Sequence, residues 1–245
     1  MKTLVIIPSR LSATRLPGKP LLKVNGLSII SHVFKKAEEA NIGEVIVAAE
    51  DQEIVDDVKK NGGQAIITNN YHQTGTDRIY EAFVKLDNPK IDLIMNLQGD
   101  EPLINIEDIK NLNDQMIRYN SNLGTLASLI SDKGLYNNEN VVKVTTEERL
   151  TNINFPDATS FSRKMYDQNK NIYHHLGIYC YQKETLKKFV SHKQSFNERK
   201  YKLEQFRALE NDIKINVALA KTSPIGVDTE EDFLAIKKIM EYKSK

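Results

Sequence analysis

A chain of 245 residues with 40% hydrophobic and 27% charged residues is long enough to bury its own core and too apolar to be disordered. Its 34 basic and 33 acidic side chains leave a formal charge of +1, which removes the broad electrostatic reason to expect a nucleic-acid partner and makes any anion site local. The single cysteine, Cys180, excludes an intrachain disulfide framework, and no apolar run is long enough to cross a bilayer, so the chain is expected in the cytoplasm with no membrane partner.

Residues 4–8 read as a first strand, an apolar run suited to burial on both faces of a parallel sheet, and Pro8 and Arg10 cut it too short for a leader peptide. The strand enters a loop, so that residues 6–21 (IIPSRLSATRLPGKPL) combine the charges of Arg10, Arg15 and Lys19 with the stiffness of Pro8, Pro17 and Pro20. Backbone N–H groups near Ser12 and Gly18 add donors, and the stretch reads as a polyphosphate cradle. From Ser28 a helix carries Ile29, Ile30, Val33, Phe34 and Ala37 on one face, followed by a strand at 44–49. Asp51 is expected to cap a helix with Ile54, Val55 and Val58 buried, ending at Asn61-Gly62-Gly63 before a strand at 65–68.

Thr74-Gly75-Thr76-Asp77-Arg78 opens a further helix, and a strand at 91–97 delivers Gln98-Gly99-Asp100-Glu101-Pro102 at its carboxyl end. This alternation predicts an α/β fold, a mostly parallel sheet with helices on both faces. Asn105 caps a helix carrying Ile109, Leu112 and Met116, and 124–130 is a strand. Beyond Ser131 the pattern changes: short strands at 141–145, 158–162 and 173–181 predict a smaller antiparallel insertion within 131–182. Helical patterns at 183–190 and 203–210, a strand at 213–220, and a last helix opened by Thr229-Glu230-Glu231-Asp232 complete the chain. With no repeat or linker, 1–245 reads as a single domain.

The basic loop is not a P-loop, because Pro20 follows Lys19 where Ser or Thr is required, and it lacks the three glycines of a dinucleotide fingerprint. What remains is a cradle for a nucleoside triphosphate whose metal ligand comes from elsewhere. Asp100 is the first candidate, since Mg²⁺ is commonly held by one or two carboxylates with phosphate oxygens and water; the alternative is a turn-capping Asp. Asp228, in Gly226-Val227-Asp228-Thr229, is the second, and for it a helix N-cap is an equal reading. His174 and His175 are adjacent in a predicted strand, so their side chains face opposite ways and do not pair on one metal.

Five stretches together carry a resemblance: 6–21, 96–102 (NLQGDEP), 175–181 (HLGIYCY), 203–209 (LEQFRAL) and 226–232 (GVDTEED). In this order the chain resembles the 3-deoxy-manno-octulosonate cytidylyltransferases, or CMP-Kdo synthetases. The resemblance implies a Rossmann-like nucleotidyltransferase fold and a bacterial cytoplasmic homodimer. The implied reaction joins CTP and 3-deoxy-D-manno-octulosonate (Kdo) to give CMP-Kdo and pyrophosphate for lipopolysaccharide biosynthesis. Carried over by motif, Arg10 and Lys19 hold the triphosphate with Arg15 nearby, and Thr74, Gly75 and Arg78 lie along the nucleotide. Asp100 and Asp228 hold Mg²⁺, making Arg10, Lys19, Asp100 and Asp228 the catalytic set. Gln98, Arg163, His175, Glu204 and Gln205 line the sugar pocket, and 131–182 includes an antiparallel subregion for the sugar pocket and dimerisation. The chain departs from the family after Arg163, where it reads Lys164-Met165-Tyr166 instead of small residues and Pro, and in 191–202, which lacks a Pro. The competing expectations are a cytidylyltransferase for another acidic sugar, 8-amino-Kdo or a sialic acid, and a non-catalytic nucleotide or sugar sensor.

Overall fold

In the computed structural model of the chain, which describes residues 1–12, 15–130, 134–164 and 171–243, the first apolar run forms β1 (Thr3–Ser9). Leu4, Val5, Ile6 and Ile7 are at most 1% exposed, as burial on both faces requires. A hairpin of β2 (Lys23–Val24) and β3 (Leu27–Ser28) follows. It turns on Asn25 and Gly26, both at positive φ (49° and 83°), the geometry Asn-Gly adopts between antiparallel strands. The sequence reading missed this hairpin because each strand is only two residues long and shows no periodicity.

Ser28 then caps α1 (Ile29–Ala40) by accepting from the Ser31 N–H. Next come β4 (Gly43–Ala49), α2 (Gln52–Lys60), β5 (Ala65–Ile67), α3 (Gly75–Leu86), β6 (Leu93–Asn96) and α4 (Ile106–Tyr119). The remaining elements are β7 (Leu123–Ser128), α5 (Gly134–Asn137), β8 (Lys143–Thr146), β9 (Ala158–Ser162), β10 (Ile172–Gln182), α6 (Lys183–Ser191), α7 (Phe196–Tyr201), α8 (Gln205–Leu209), β11 (Asn216–Leu219) and α9 (Glu230–Lys243). The expected alternation is therefore present, with element ends differing by a few residues. The fold is α/β, with a mostly parallel mixed sheet and flanking helices.

The chain divides into two compact units. The first comprises residues 2–91, 95–109 and 224–245. In it β1 pairs in parallel with β4, from Thr3 opposite Gly43 to Ser9 opposite Ala49, and β4 pairs in parallel with β5. Leu97 donates its N–H to Ile6 O (3.2 Å), so the exit of β6 runs beside β1 and their carboxyl ends share one edge. A satellite core of Val24, Ile29, Val227 and Ile236, packed by Leu16, Leu22, Phe233 and Met240, ties the basic loop to α9.

The second unit comprises residues 1, 92–94 and 110–223. Here β10 is antiparallel to both β7 and β8, β8 is antiparallel to β9, and β11 runs parallel to β7. The predicted change to antiparallel pairing after Ser131 is thus observed in β8, β9 and β10. Cys180 is wholly buried in β10, where burial raises its thiol pKa, the fate expected of a small apolar strand residue.

Candidate active site

Two carboxylates anchor the loop after β1. The Leu11 N–H donates to Asp51 Oδ2 (2.7 Å) and the Ser12 hydroxyl to Glu50 Oε1 (2.9 Å). Asp51 was expected to cap α2; it occupies the N-cap position, but its carboxylate serves the loop and makes no cap bond. Gly18, at φ +71°, closes the loop by donating its N–H to Leu11 O (3.0 Å), so this amide, expected to face an anion, is used internally. Arg10 stays exposed at the end of β1 and pairs with none of the described residues.

The two acids predicted from sequence meet at Lys19. Its ammonium donates to Asp100 Oδ2 (2.5 Å), Val227 O (2.8 Å) and Asp228 Oδ1 (3.2 Å), while Arg15 pairs with Asp228 Oδ2 (2.9 Å). Burial lowers the Lys19 pKa, but the two carboxylates more than offset it and leave it raised. Local structure explains the convergence. Gly99 passes so close to β1 that an added Cβ would lie 2.9 Å from Pro8 O and 3.1 Å from Ile30 Cδ1, so no larger residue fits before Asp100. The Val227 N–H donates to Asp100 O (2.8 Å), joining the two acid-bearing segments directly. The capping reading of Asp228 fails, because the reciprocal capping bonds are made by its neighbour. Thr229 Oγ1 accepts from the Asp232 N–H (3.2 Å), and Asp232 Oδ2 accepts from the Thr229 N–H (2.9 Å).

Arg15, Lys19, Asp100 and Asp228 line a cavity of about 350 Å³ together with Arg10, Thr74, Gly75, Arg78, Gln98 and His72. Thr74 caps α3 by accepting from the Asp77 N–H (3.2 Å). Arg78 reaches the cavity but is buried (3% exposed), its guanidinium held by Glu50, Thr68 Oγ1 (2.8 Å) and Asn69 O (3.3 Å), which makes it a wall more than a mobile clamp. His72 is a cavity residue that the sequence reading overlooked, since that reading of the α3 entry began at Thr74. A histidine two residues before a helix cap was the available signal.

Glu81 holds the His72 imidazole at Nε2. Burial raises the Glu81 pKa, yet hydrogen bonds from Lys85, His72 and the Asn69 N–H outweigh it and bring the carboxyl down to about 2. Because the folded-state pKa lies below the ordinary 4.5, this carboxylate stabilises the fold above that pH and loses its contribution as pH falls towards about 2. The melting temperature of the wild type should therefore exceed that of Glu81→Gln at about pH 6, with the gap narrowing towards about pH 3. A pH-independent gap in thermal unfolding would contradict this.

The donor set fits a hard cation. Asp100 and Asp228 already clasp one positive charge, the Lys19 ammonium. Beside them Glu101 Oε2 is buried with no partner among the described residues, and burial, helped by the charges of Asp100 and Asp228, pushes its pKa up to about 8. Among the described residues no three His, Cys, Asp or Glu side chains converge on one point. Such a pair suits a metal that completes its shell with phosphate oxygens and water, as Mg²⁺ does.

Of the residues implied to contact the sugar, Gln98 lies in the first unit, in the cavity wall, and the other four lie in the second. His175 is buried (6% exposed) and its Nε2 is 3.0 Å from Thr125 Oγ1, whereas neighbouring His174 turns the other way to Ser223 Oγ (2.6 Å), as strand alternation predicts. Gln205 donates to the Tyr179 hydroxyl (2.5 Å), and Glu204 precedes it at the N-cap of α8. Arg163 donates to Glu139 O (3.2 Å), and its own carbonyl accepts from Lys143, a buried lysine that sequence reading did not single out (2.9 Å). Residues 165–170, where the chain departs from the family after Arg163, lie outside the described residues.

Cations for a polyphosphate beside carboxylates for its counter-ion, at the carboxyl edge of parallel strands, define a nucleotidyltransferase. A family model described as cytidylyltransferase matches residues 4–215. The chain is 40% identical to the 3-deoxy-manno-octulosonate cytidylyltransferase of Rhodopseudomonas palustris over 98% of both chains. It is 39% identical to that of Paramagnetospirillum magneticum over 94% of both. The solved structure of CMP:2-keto-3-deoxy-manno-octonic acid synthetase complexed with CTP superposes with a TM-score of 0.88 at 34% identity, covering 99% of this chain and 100% of that one. UDP-glucose pyrophosphorylase complexed with UDP-glucose shares the fold alone, with a TM-score of 0.73 at 13% identity over the whole of both chains. The chain belongs to the 3-deoxy-manno-octulosonate cytidylyltransferase family.

Proposed function

We propose that this enzyme transfers CMP from CTP to the anomeric hydroxyl of Kdo, releasing pyrophosphate, as a step of lipopolysaccharide biosynthesis. The observation that supports it most is the Lys19 ammonium between Asp100 and Asp228, in a cavity whose wall includes Arg10 and Arg15. In the reaction the sugar oxygen attacks the α-phosphorus in line. The bond from that phosphorus to the β-bridging oxygen breaks, and pyrophosphate leaves with the electron pair while the hydroxyl proton passes to solvent. Such a transfer is catalysed mainly by positioning and charge neutralisation. Arg10 and Lys19 neutralise the departing phosphates with Arg15 beside them, and Thr74, Gly75 and Arg78 fix the nucleotide.

Asp100 and Asp228 would hold Mg²⁺, which when bound lowers the pKa of the attacking hydroxyl and neutralises the α-phosphate. Gln98, Arg163, His175, Glu204 and Gln205 recognise the acceptor, and the Arg163 guanidinium suits a carboxylate because it can donate two parallel hydrogen bonds. In this reading 1–245 acts as one nucleotidyltransferase domain, part of 131–182 serves the sugar and the dimer contact, and the enzyme works as a cytoplasmic homodimer. Among the described residues no helix is long and apolar enough to cross a membrane.

Acceptor choice tests the reading. With CTP and Mg²⁺ in excess, kcat/KM for Kdo should exceed that for sialic acid by at least about 100-fold, the discrimination that buried polar contacts supply when a substrate leaves them unpaired. A preference for sialic acid or 8-amino-Kdo would replace Kdo as the acceptor, and binding of CTP without turnover of any acceptor would favour a sensor.

A further inference from the structure

We propose that Thr125 is a positioning residue for acceptor binding: its hydroxyl fixes the His175 imidazole as the Nε2–H tautomer, leaving Nδ1 as the acceptor for a hydroxyl of the sugar. The proposal rests on the reading of His175 as an acceptor-contact residue and adds the means by which its ring is prepared.

The device is built into an irregularity of the sheet. Along β10 and β7, His174 lies opposite Ser128, His175 opposite Ala127 and Leu176 opposite Leu126, but the next pair is Tyr179 with Thr125. Gly177 and Ile178 are therefore interposed as a bulge, and bulges free backbone groups from the ladder. Thr125, wholly buried, fills the gap: its Oγ1 is 2.7 Å from Ile178 O and 3.2 Å from Leu176 O. A hydroxyl has one hydrogen, and carbonyl oxygens only accept, so that hydrogen goes to the bulge. The third neighbour of the same oxygen is His175 Nε2 at 3.0 Å. It must donate.

Burial, with the charge of His174 adding to it, lowers the His175 pKa to about 3, so the ring carries one proton at neutral pH. That proton sits on Nε2, and Nδ1 keeps its lone pair, to which none of the described residues donates. The ring is wedged edge-on against Phe161 (centroids 5.1 Å apart) and tilted against Tyr179 (5.5 Å). The same cluster holds a second buried acceptor, Gln205 Oε1, with no partner among the described residues, and Gln205 is tied in through the Tyr179 hydroxyl. Two prepared acceptors suit a ligand rich in hydroxyl donors.

The tautomer is read by ¹⁵N imidazole NMR on the full-length enzyme, with the His175 signals assigned by their loss in His175→Asn. The wild type should show the Nε2–H pattern, and Kdo should shift the Nδ1 resonance. Thr125→Val should abolish the single-tautomer pattern and raise KM for Kdo at least tenfold, with KM for CTP within twofold of the wild type, and Thr125→Ser should restore both. An Nδ1–H wild type, a Thr125→Val variant that keeps the Nε2–H pattern, or a KM for CTP that rises as much as that for Kdo would overturn the proposal. Where Thr125→Val does not fold, the wild-type tautomer and the Kdo-dependent shift decide. A protein that never turns over Kdo refutes the functional reading, whereas an enzyme that does so with the wrong tautomer refutes this proposal alone.

Discussion

Asp100→Ala is expected to slow pyrophosphate release by about 1,000-fold while leaving the fold intact, as the loss of one charge-positioning group does when the transition state depends on it. The structural reason is that Asp100 is a hub. Its carboxylate holds Lys19 at 2.5 Å with Asp228 on the other side of the same ammonium, so its removal leaves three nearby cations, Arg10, Arg15 and Lys19, with one carboxylate fewer between them. The side chain is 27% exposed and contributes nothing to the apolar core, so unfolding is not the expected cause of the loss. Asp100→Asn separates charge from shape, since it keeps the size and removes the charge; it should lose nearly as much as Asp100→Ala. Pyrophosphate release measured beside circular dichroism of each variant checks both halves of the expectation, and near-normal turnover in either variant contradicts it.

The largest expected effect on stability lies elsewhere, at Glu198. This residue (3% exposed) accepts from Arg207 Nε at 2.9 Å and Arg207 Nη2 at 2.6 Å, and Arg207 (2% exposed) stacks over Phe189 with its guanidinium carbon 4.7 Å from the ring centroid. Glu198 also completes the capping box of α7 with Ser195. Glu198→Ala removes one partner of a buried, doubly hydrogen-bonded ion pair, a loss that costs about 3–5 kcal/mol. The urea midpoint should fall accordingly with little change in slope. Glu198→Leu combined with Arg207→Met should recover a good part of the loss, because two apolar side chains replace two desolvated charges. A double variant worse than Glu198→Ala would show that the pair stabilises through more than mutual neutralisation. The pair packs at α8, whose first residue is Gln205, so a weakened Kd for Kdo should accompany partial destabilisation.

How much of this was legible in the chain follows from the range over which each feature is determined. The buried first strand and the capping box at Thr229 are set by neighbours within a few positions, and each is where the sequence indicates. The basic loop and the glycine before Asp100 are also where the sequence indicates, but the partners that hold the one, Glu50 and Asp51, and require the other, Pro8 and Ile30, are distant in the chain. Sequence alone left Asp228 between a metal ligand and a cap. That Thr229 takes the cap and Asp228 instead faces Lys19, 209 residues away, depends on the satellite core that brings α9 to the basic loop. Asp51 shows the converse: a good local cap residue was taken by a distant partner, the Leu11 N–H, because the loop had an amide to satisfy.

Short features escaped for want of periodicity. The hairpin at Asn25-Gly26 has two-residue strands, and α7 has only six residues, although its Ser195-to-Glu198 spacing was a readable capping box. The His72 contact with Glu81 and the Thr125 contacts with the bulge of β10 were not legible, since one depends on a partner in α3 and the other on an irregularity of the facing strand, although the position of His72 two residues before a helix cap could have marked it for the cavity.

The most direct measurement of the central claim is ³¹P NMR of the wild-type enzyme incubated with CTP, Kdo and Mg²⁺. Transfer at the α-phosphorus predicts a new sugar phosphodiester resonance and free pyrophosphate, appearing in equal amounts as CTP disappears, with neither seen in Asp100→Ala over the same interval. Release of inorganic phosphate with accumulation of CDP, or CTP left intact by a folded enzyme, would contradict it.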